Sequence, residues 1–456
     1  MRDSPFNVLA FLETRSATYT LMVMGVILRL IAMLPLVRSP LFSDARSYHL
    51  TAVRLANHES FVPYWPPSLP YYLLLIHRMT APSEIVSRLS MIVLYAGFAL
   101  MLFLLARRFA TYRAANLVLL AYAVYPTFIY HSIVPMTELP AGLCLVAGVW
   151  LTLSAIPSRA WRYPILLGIV LGGFALLRAS SIILIPAAGL VLLTAGRSSA
   201  RAALTVVIAG AIVCAWLAKA QSLAGHFVMI NTANTENFFF GNNPYTPLYK
   251  TWWFGSHGAG EPSVPQAYRE LLKSITSLPE PERESAFRKA ALDHIRSRPD
   301  LFALRTLNRI CSYFVVDTYL GQILIKAHGV NTWLALAVMV VDASFFLLVM
   351  VLAALFLCTW TGPPSQRTDL LIILGAVVLY AFPYWISFSH PRLHFPVVPL
   401  MGVLAGAMLD RLLRERARDV FAPLRHSTAR RWALAVSVAL LACIQIEWVL
   451  VVYVWR

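Results

Sequence analysis

Acidic side chains are scarce in this sequence. There are 21 in 456 residues against 38 lysines and arginines, and charge of both signs comes to only 13%. An ordinary soluble domain carries about 25% charged residues. A chain with so little charge and 59% hydrophobic residues falls outside that class. Cysteine is also rare. Cys144, Cys214, Cys358 and Cys443 lie in apolar runs and Cys311 stands alone, so no disulfide framework is implied. With no HExxH and no close multi-ligand cluster, no metal site is implied either. No short internal repeat or low-complexity tract is present, which argues against a solenoid. The net charge of +17 does not point to nucleic acid, because the basic residues sit mainly in short connections between apolar runs. That is the positive-inside pattern, with some attraction to anionic lipid.

What is present is hydrophobic length. Apolar runs of roughly 17–25 residues recur, long enough to cross a ~30 Å hydrocarbon core as helices. About eleven such spans are expected, over residues 18–38, 86–106, 114–131, 139–156, 163–178, 180–196, 202–220, 332–358, 369–388, 394–411 and 432–454. The fold class is therefore an all-α polytopic membrane protein with amphipathic external helices and one large extracytoplasmic segment. The first run lacks a small-residue cleavage site and reads as a retained span. Arg107-Arg108 with Arg113, Arg159 with Arg162, Arg197 with Arg201, and the seven arginines from Arg411 to Arg431 fall on one side if the N-terminus is cytoplasmic. Three parts follow: a transmembrane catalytic module over 1–220 with an external loop at 39–85, an extracytoplasmic segment over 221–331, and C-terminal spans over 332–456.

The external segment holds Asn242-Asn243-Pro244 and the acids from Glu261 to Asp300. Pro281 to Ser297 reads as helix, with Phe287, Ala290, Ala291 and Ile295 near helical spacing, and Arg298-Pro299 interrupts it. Leu301 to Ile325 is apolar but carries Arg305, Arg309 and Asp317, as an interfacial helix would. In the first external loop, Arg46 to Asn57 places Tyr48, Ala52, Leu55 and Ala56 on one helical face.

Asp44 starts that helix. An acid at the mouth of a membrane span is costly to desolvate and invites a functional reading; the plain alternative is a helix cap. Glu138 opens the fourth span and shares that external face with Arg178 and Arg392. A solvated helix-start acid is the plain reading of Glu138, and a snorkelling cation that of each arginine. Arg29, near the middle of the first span, needs a buried partner. Acids and cations on one face are the parts for glycosyl transfer from a lipid-phosphate sugar. A carboxylate takes the proton of the acceptor hydroxyl, and cations receive the charge developing on the leaving phosphate.

The chain resembles the GT-C superfamily of glycosyltransferases, in the branch of bacterial protein O-mannosyltransferases and the lipid A aminoarabinose transferase. The likeness rests on elements in order: Asp44-Ala45-Arg46-Ser47-Tyr48-His49, Trp65-Pro66-Pro67-Ser68-Leu69-Pro70-Tyr71, Thr137-Glu138, Arg178, Phe240-Gly241-Asn242-Asn243-Pro244-Tyr245, Ala290 to Leu301, and Arg392-Leu393-His394-Phe395-Pro396. It implies a polyprenyl-phosphate-linked sugar donor and an inverting reaction on the extracytoplasmic face of a bacterial inner membrane. Asp44 is then the base, with Glu138 positioning a sugar. The acceptor is a glycan, lipid or protein hydroxyl. The chain departs from these relatives at Trp65, where a Lys precedes the Pro pair, and at Ala45, where several relatives have a second acid. Arg178, Arg392 or His390 must then bind the phosphate. Tyr48, His49 and Trp65 are the remaining substrate-contact candidates, and Trp252-Trp253 with Tyr245 and Tyr249 read either as sugar-stacking rings or as interfacial anchors. No cofactor is required, although oligosaccharyltransferases of the superfamily use a divalent cation, for which Asp44 with His49 or His131 with Glu138 are the candidate ligands. A secondary transporter or lipid flippase is the competing class, and it predicts repeats and broken helices with midplane charges. An inactive scaffold is the third.

Overall fold

In hydrocarbon a backbone N–H or C=O finds no water, so a chain this apolar must bond its own backbone within each segment. The computed structural model describes residues 8–59, 61–252 and 264–451, and these form helices and no strand. Trp253, Glu261 and residues 452–454 of the last expected span lie outside the described residues.

In chain order the α-helices longer than four residues are α1 (Arg15–Met33), α2 (Ser43–Ala56), α3 (Ser68–Met79), α4 (Glu84–Phe109), α5 (Tyr112–Val124), α6 (Pro126–His131) and α7 (Glu138–Ala155). They continue with α8 (Arg162–Leu177), α9 (Leu184–Thr194), α10 (Ser199–Ala224), α11 (Ala233–Gly241), α12 (Gln266–Thr276) and α13 (Glu280–Ser297). The last six are α14 (Pro299–Tyr313), α15 (Tyr319–Lys326), α16 (Thr332–Thr359), α17 (Pro364–Ile386), α18 (Val398–Arg414) and α19 (Thr428–Val449).

Among the described residues, seven helices are long and apolar enough to cross a membrane: α1, α4, α7, α10, α16, α17 and α19. Shorter apolar helices occupy the expected spans at α5, α8 and α9, and α18 occupies the tenth. The chain is thus a multi-pass membrane protein.

α7 and α18 are the most enclosed of these helices, and α18 is packed by α16, α5 and α4. Close approach is enforced by glycine. A Cβ at Gly402 would collide with the Tyr122 hydroxyl, and one at Gly406 with Val118. Such small residues four apart let helices pack closely where no hydrophobic force separates lipid from protein. Tyr122 then donates to the Val398 carbonyl at 2.7 Å.

The expected span 114–131 is broken in two. Pro126 has no N–H to return to the carbonyl of Tyr122, and Arg29 takes its place, donating to Tyr122 O at 3.0 Å, Ala123 O at 3.1 Å and Gly25 O at 2.9 Å. Its guanidinium also lies over the Tyr95 ring, 3.2 Å from the centroid. On the other side of the break Asp342 accepts from the Thr127 N–H at 2.7 Å. A cation closes the C-terminal end of α5 and a carboxyl oxygen the N-terminal end of α6. The buried partner that Arg29 requires is a set of carbonyls.

The basic connections gather at one end. Arg108 pairs with Asp369 at 3.0 Å, Arg113 with Asp410 at 2.7 Å, and Arg201 donates to Ala155 O at 2.9 Å. α7, α17 and α18 run between this end and the opposite one, where Glu138, Tyr384 and Arg392 stand.

At that opposite end α11, α12 and α13 form a small lobe around Phe239, Tyr268, Ile275, Phe287 and Ala291. The helix expected to stop before Pro299 does so, and α14 starts there. The interfacial stretch 301–325 is two helices, not one. Asp317 accepts from the Tyr319 N–H at 2.8 Å, a local bond that competes with helix continuation and opens a new start. Two buried arginines of α14 fasten the lobe. Arg305 donates to the carbonyls of Asn243 and Thr246, and Arg309 to Gly241 O and the Asn242 side chain.

Candidate active site

Asp44 lies in the first turn of α2, but it does not cap it. The cap position is Phe42, which makes no side-chain bond, and the carboxylate turns instead to Arg392. Arg392 Nη2 donates to Asp44 Oδ2 at 2.8 Å. The same guanidinium stands over the Tyr319 ring, 4.8 Å from its centroid, and its Nε is 3.6 Å from Glu138 Oε1. Glu138 begins α7, and Oε1 also meets Arg178 Nη2 at 2.9 Å. Arg178 follows α8 in extended backbone and donates from Nη1 to the Tyr384 hydroxyl at 3.3 Å, which Ser180 also reaches at 2.8 Å.

Acid and base therefore alternate along one row, Asp44–Arg392–Glu138–Arg178. The row runs from open to closed. The Asp44 and Arg392 side chains are 23% and 21% exposed, whereas Glu138 is 2% exposed. Two charges of each sign cancel, which makes the burial of Glu138 and Arg178 affordable. Among the described residues Glu138 Oε2 and Arg178 Nε have no hydrogen-bond partner. Ordinarily such atoms are satisfied, so the row holds one spare acceptor and one spare donor.

Electrostatics separates the cations. Burial opposes the charge on Arg392, but Asp44, then Tyr319 and Glu138, push its pKa above the usual guanidinium range. His390 behaves oppositely. Burial, helped by Arg392 and His394, drives its pKa well below the ordinary value, and Nδ1 accepts from the Arg392 N–H at 3.2 Å. Its ring packs edge-on to Trp252 and Tyr319. A neutral imidazole brings no positive charge to a phosphate, but with Nδ1 accepting from Arg392 its other ring nitrogen carries the proton and can donate. Asp317, buried nearby, has its carboxyl pushed up to about 6 by burial, against the Tyr319 N–H and the charge of Arg392.

The other sequence candidates divide. Tyr48, one turn beyond Asp44, is buried with its ring 5.3 Å from that of Trp65. His49 is not brought to the row. Its Nδ1 lies 3.0 Å from the Ser87 hydroxyl, which also meets His77 Nε2 at 2.9 Å, so it belongs to a buried bridge between α2, α3 and α4. His131 packs its ring against Phe395 and Tyr130. Among the described residues no three His, Cys, Asp or Glu side chains gather as a metal-binding group. Tyr319, Ser180 and Tyr384 were not read from the sequence. Tyr384 carries a faint signal in Tyr384-Trp385, at the end of the span before Arg392.

Residues 65–219 match the sequence model of the family described as dolichyl-phosphate-mannose-protein mannosyltransferase. That stretch contains Trp65, Glu138 and Arg178; Asp44 and Arg392 lie outside it. No curated protein sequence matches the chain. Among solved structures, the archaeal oligosaccharyltransferase AglB from Archaeoglobus fulgidus, in complex with an inhibitory peptide and a dolichol-phosphate, is 17% identical with a TM-score of 0.45, over 94% of this chain and 55% of that one. The apo form of the Archaeoglobus fulgidus oligosaccharyltransferase is 15% identical with a TM-score of 0.48, over 94% and 55%. ArnT from Cupriavidus metallidurans bound to undecaprenyl phosphate is 14% identical with a TM-score of 0.43, over 93% and 88%. The chain spans about half the length of the archaeal structures. Over residues 65–219, from the Pro-Pro loop through Glu138 and Arg178, this membrane protein carries the sequence pattern of the dolichyl-phosphate-mannose-protein mannosyltransferases.

Proposed function

We propose that the chain is a membrane glycosyltransferase that moves a sugar from a polyprenyl-phosphate donor to an acceptor hydroxyl, with inversion, on the extracytoplasmic face of a bacterial inner membrane. The observation that carries this reading is the row Asp44–Arg392–Glu138–Arg178, assembled from four separate segments at one end of the bundle. The family pattern over residues 65–219 supports the donor class.

The chemistry balances in one displacement. The acceptor oxygen bonds to the anomeric carbon while its proton passes to Asp44 Oδ1, which lies off the Arg392 contact on Oδ2 and accepts only a long bond, 3.3 Å, from the Ser43 hydroxyl. The bond from that carbon to the phosphate oxygen breaks, and its electron pair leaves with the lipid phosphate beside Arg178 and Arg392. Attack opposite the leaving group inverts the carbon. Glu138 sets both guanidinium groups, and its spare oxygen can accept from a sugar hydroxyl. The basic end of the bundle then faces the cytoplasm. A transporter predicts repeats and broken helices with midplane charges, and the break at Pro126, with Arg29 and Asp342 at its ends, is the feature nearest to that second reading.

The test is turnover of polyprenyl-phosphate mannose by the purified full chain with an envelope lipid and glycan extract, wild type against Asp44→Asn. A fall of at least about 100-fold is expected. Equal turnover removes Asp44 as the base, and no turnover with any polyprenyl-phosphate sugar favours transport.

A further inference from the structure

The loop between α2 and α3 is bound to the lobe by its backbone. Thr232 N–H donates to Pro63 O at 3.0 Å, and the Asn231 side chain to Tyr64 O at 3.1 Å. With the backbone so held, the Tyr64 hydroxyl donates to Glu236 Oε2 at 3.0 Å. The Tyr64 ring meets Trp65 edge-on with centroids 5.0 Å apart, and Trp65 leans on Tyr48 at 5.3 Å. Three aromatic rings thus run from Glu236 in the lobe down to the turn that bears Asp44. Tyr64 is 42% exposed and lies within electrostatic reach of both carboxylates.

We propose that Tyr64, Trp65 and Glu236 form the acceptor subsite, and that the acceptor is an uncharged saccharide hydroxyl. The inference rests on the glycosyl-transfer reading and names its acceptor class. Aromatic faces match the C–H faces of a pyranose ring, and a carboxylate accepts from sugar hydroxyls. Charge excludes the rivals. Glu236 is within reach of Arg283, which balances it, so an ammonium group gains little. The same balance leaves no net positive charge there to draw a phosphorylated headgroup.

The test is saturation-transfer NMR of the detergent-solubilised full chain with no donor present, using mannobiose, mannose 6-phosphate and a Ser/Thr peptide as probes. Mannobiose ring protons should saturate with wild type and with Asp44→Asn. Affinity should fall about tenfold in Glu236→Gln and in Trp65→Ala, the loss of a hydrogen bond or a stacking face. Trp65→Phe keeps a ring and should recover most of it. No saturation by mannobiose, equal binding by Glu236→Gln and Trp65→Ala, or binding of the phosphorylated sugar or peptide alone overturns the subsite. Saccharide binding without turnover of any donor would leave the subsite standing and sink the transfer reaction. Turnover onto peptide without saccharide binding would do the reverse.

Discussion

Arg392 binds Asp44 at 2.8 Å across 348 positions of chain, and the two side chains are the open half of an otherwise enclosed row of charge. The pairing commits Oδ2 of Asp44 to the cation, while Oδ1 accepts from the Ser43 hydroxyl at 3.3 Å. Both ends of the contact come from short turns beside long helices, so the geometry depends on the bundle rather than on either turn.

The planar fork of Arg392 touches Asp44, Glu138 and the Tyr319 ring at once, which a point charge cannot do. Arg392→Lys should keep the net charge yet lower donor turnover by about 100-fold, the cost of one charge-stabilising contact in the transition state. Donor turnover by the variant within about threefold of wild type would mean that charge alone suffices.

Exposure predicts an order of stability. Removing Glu138 leaves two guanidinium groups without their shared anion, and breaking a buried pair costs about 3–5 kcal/mol. Removing the half-open Asp44 should cost about 1 kcal/mol or less. Thermal melting of Glu138→Ala and Asp44→Ala in detergent compares them, and equal melting temperatures would contradict the burial gradient.

At the break between α5 and α6, Asp342→Asn keeps an oxygen to accept from Thr127 and should be mild. Arg29→Leu strands the carbonyls of Tyr122 and Ala123, each worth about 1–3 kcal/mol. The leucine variant should melt far below the asparagine variant; the reverse order would show that the two ends of the break are not closed as described.

Asp317 gives a pH dependence with a definite sign. Its folded pKa of about 6 lies above the ordinary 3.8, so the folded state favours the protonated acid. The stability this adds is complete below about pH 4 and is lost as pH rises through about 6, a span of about 3 kcal/mol at most. Asp317→Asn preserves the acceptor for Tyr319 N–H and carries no charge. Its melting temperature relative to wild type should rise from pH 4 to pH 7. A difference that stays flat would place the Asp317 titration elsewhere.

Much of this was legible in the sequence because membranes impose a coarse grammar. Run length marked where helices lie, and arginine bias sorted the connections to two ends. The scarcity of acids singled out Asp44 and Glu138, and the structure places both in one row. The partners were not legible. Nothing local in Ser43 to His49 announces that Asp44 faces Arg392 while His49, five residues on, faces Ser87. Helical periodicity assigns a face, but the neighbour on that face is a matter of packing. Arg29 announced that it needs a buried partner but not which one, and a proline in another helix supplies it by freeing carbonyls. The protonation of His390 was not legible either, because it depends on burial, which the His-Pro-Arg-Leu-His spelling does not reveal.

The arginine fastening of the lobe has a mechanical corollary. Arg309 joins Gly241 and Asn242 to the Trp385 carbonyl, and Asn242 donates to the Ile386 carbonyl at 3.1 Å. Those two carbonyls directly follow Tyr384, the hydroxyl that steadies Arg178. The lobe and the grip on Glu138 therefore share one hinge pin, two residues long. The lobe and the charge row are thus joined through two adjacent residues, so a substitution at Arg309 or Asn242 should reach the charge row without touching it.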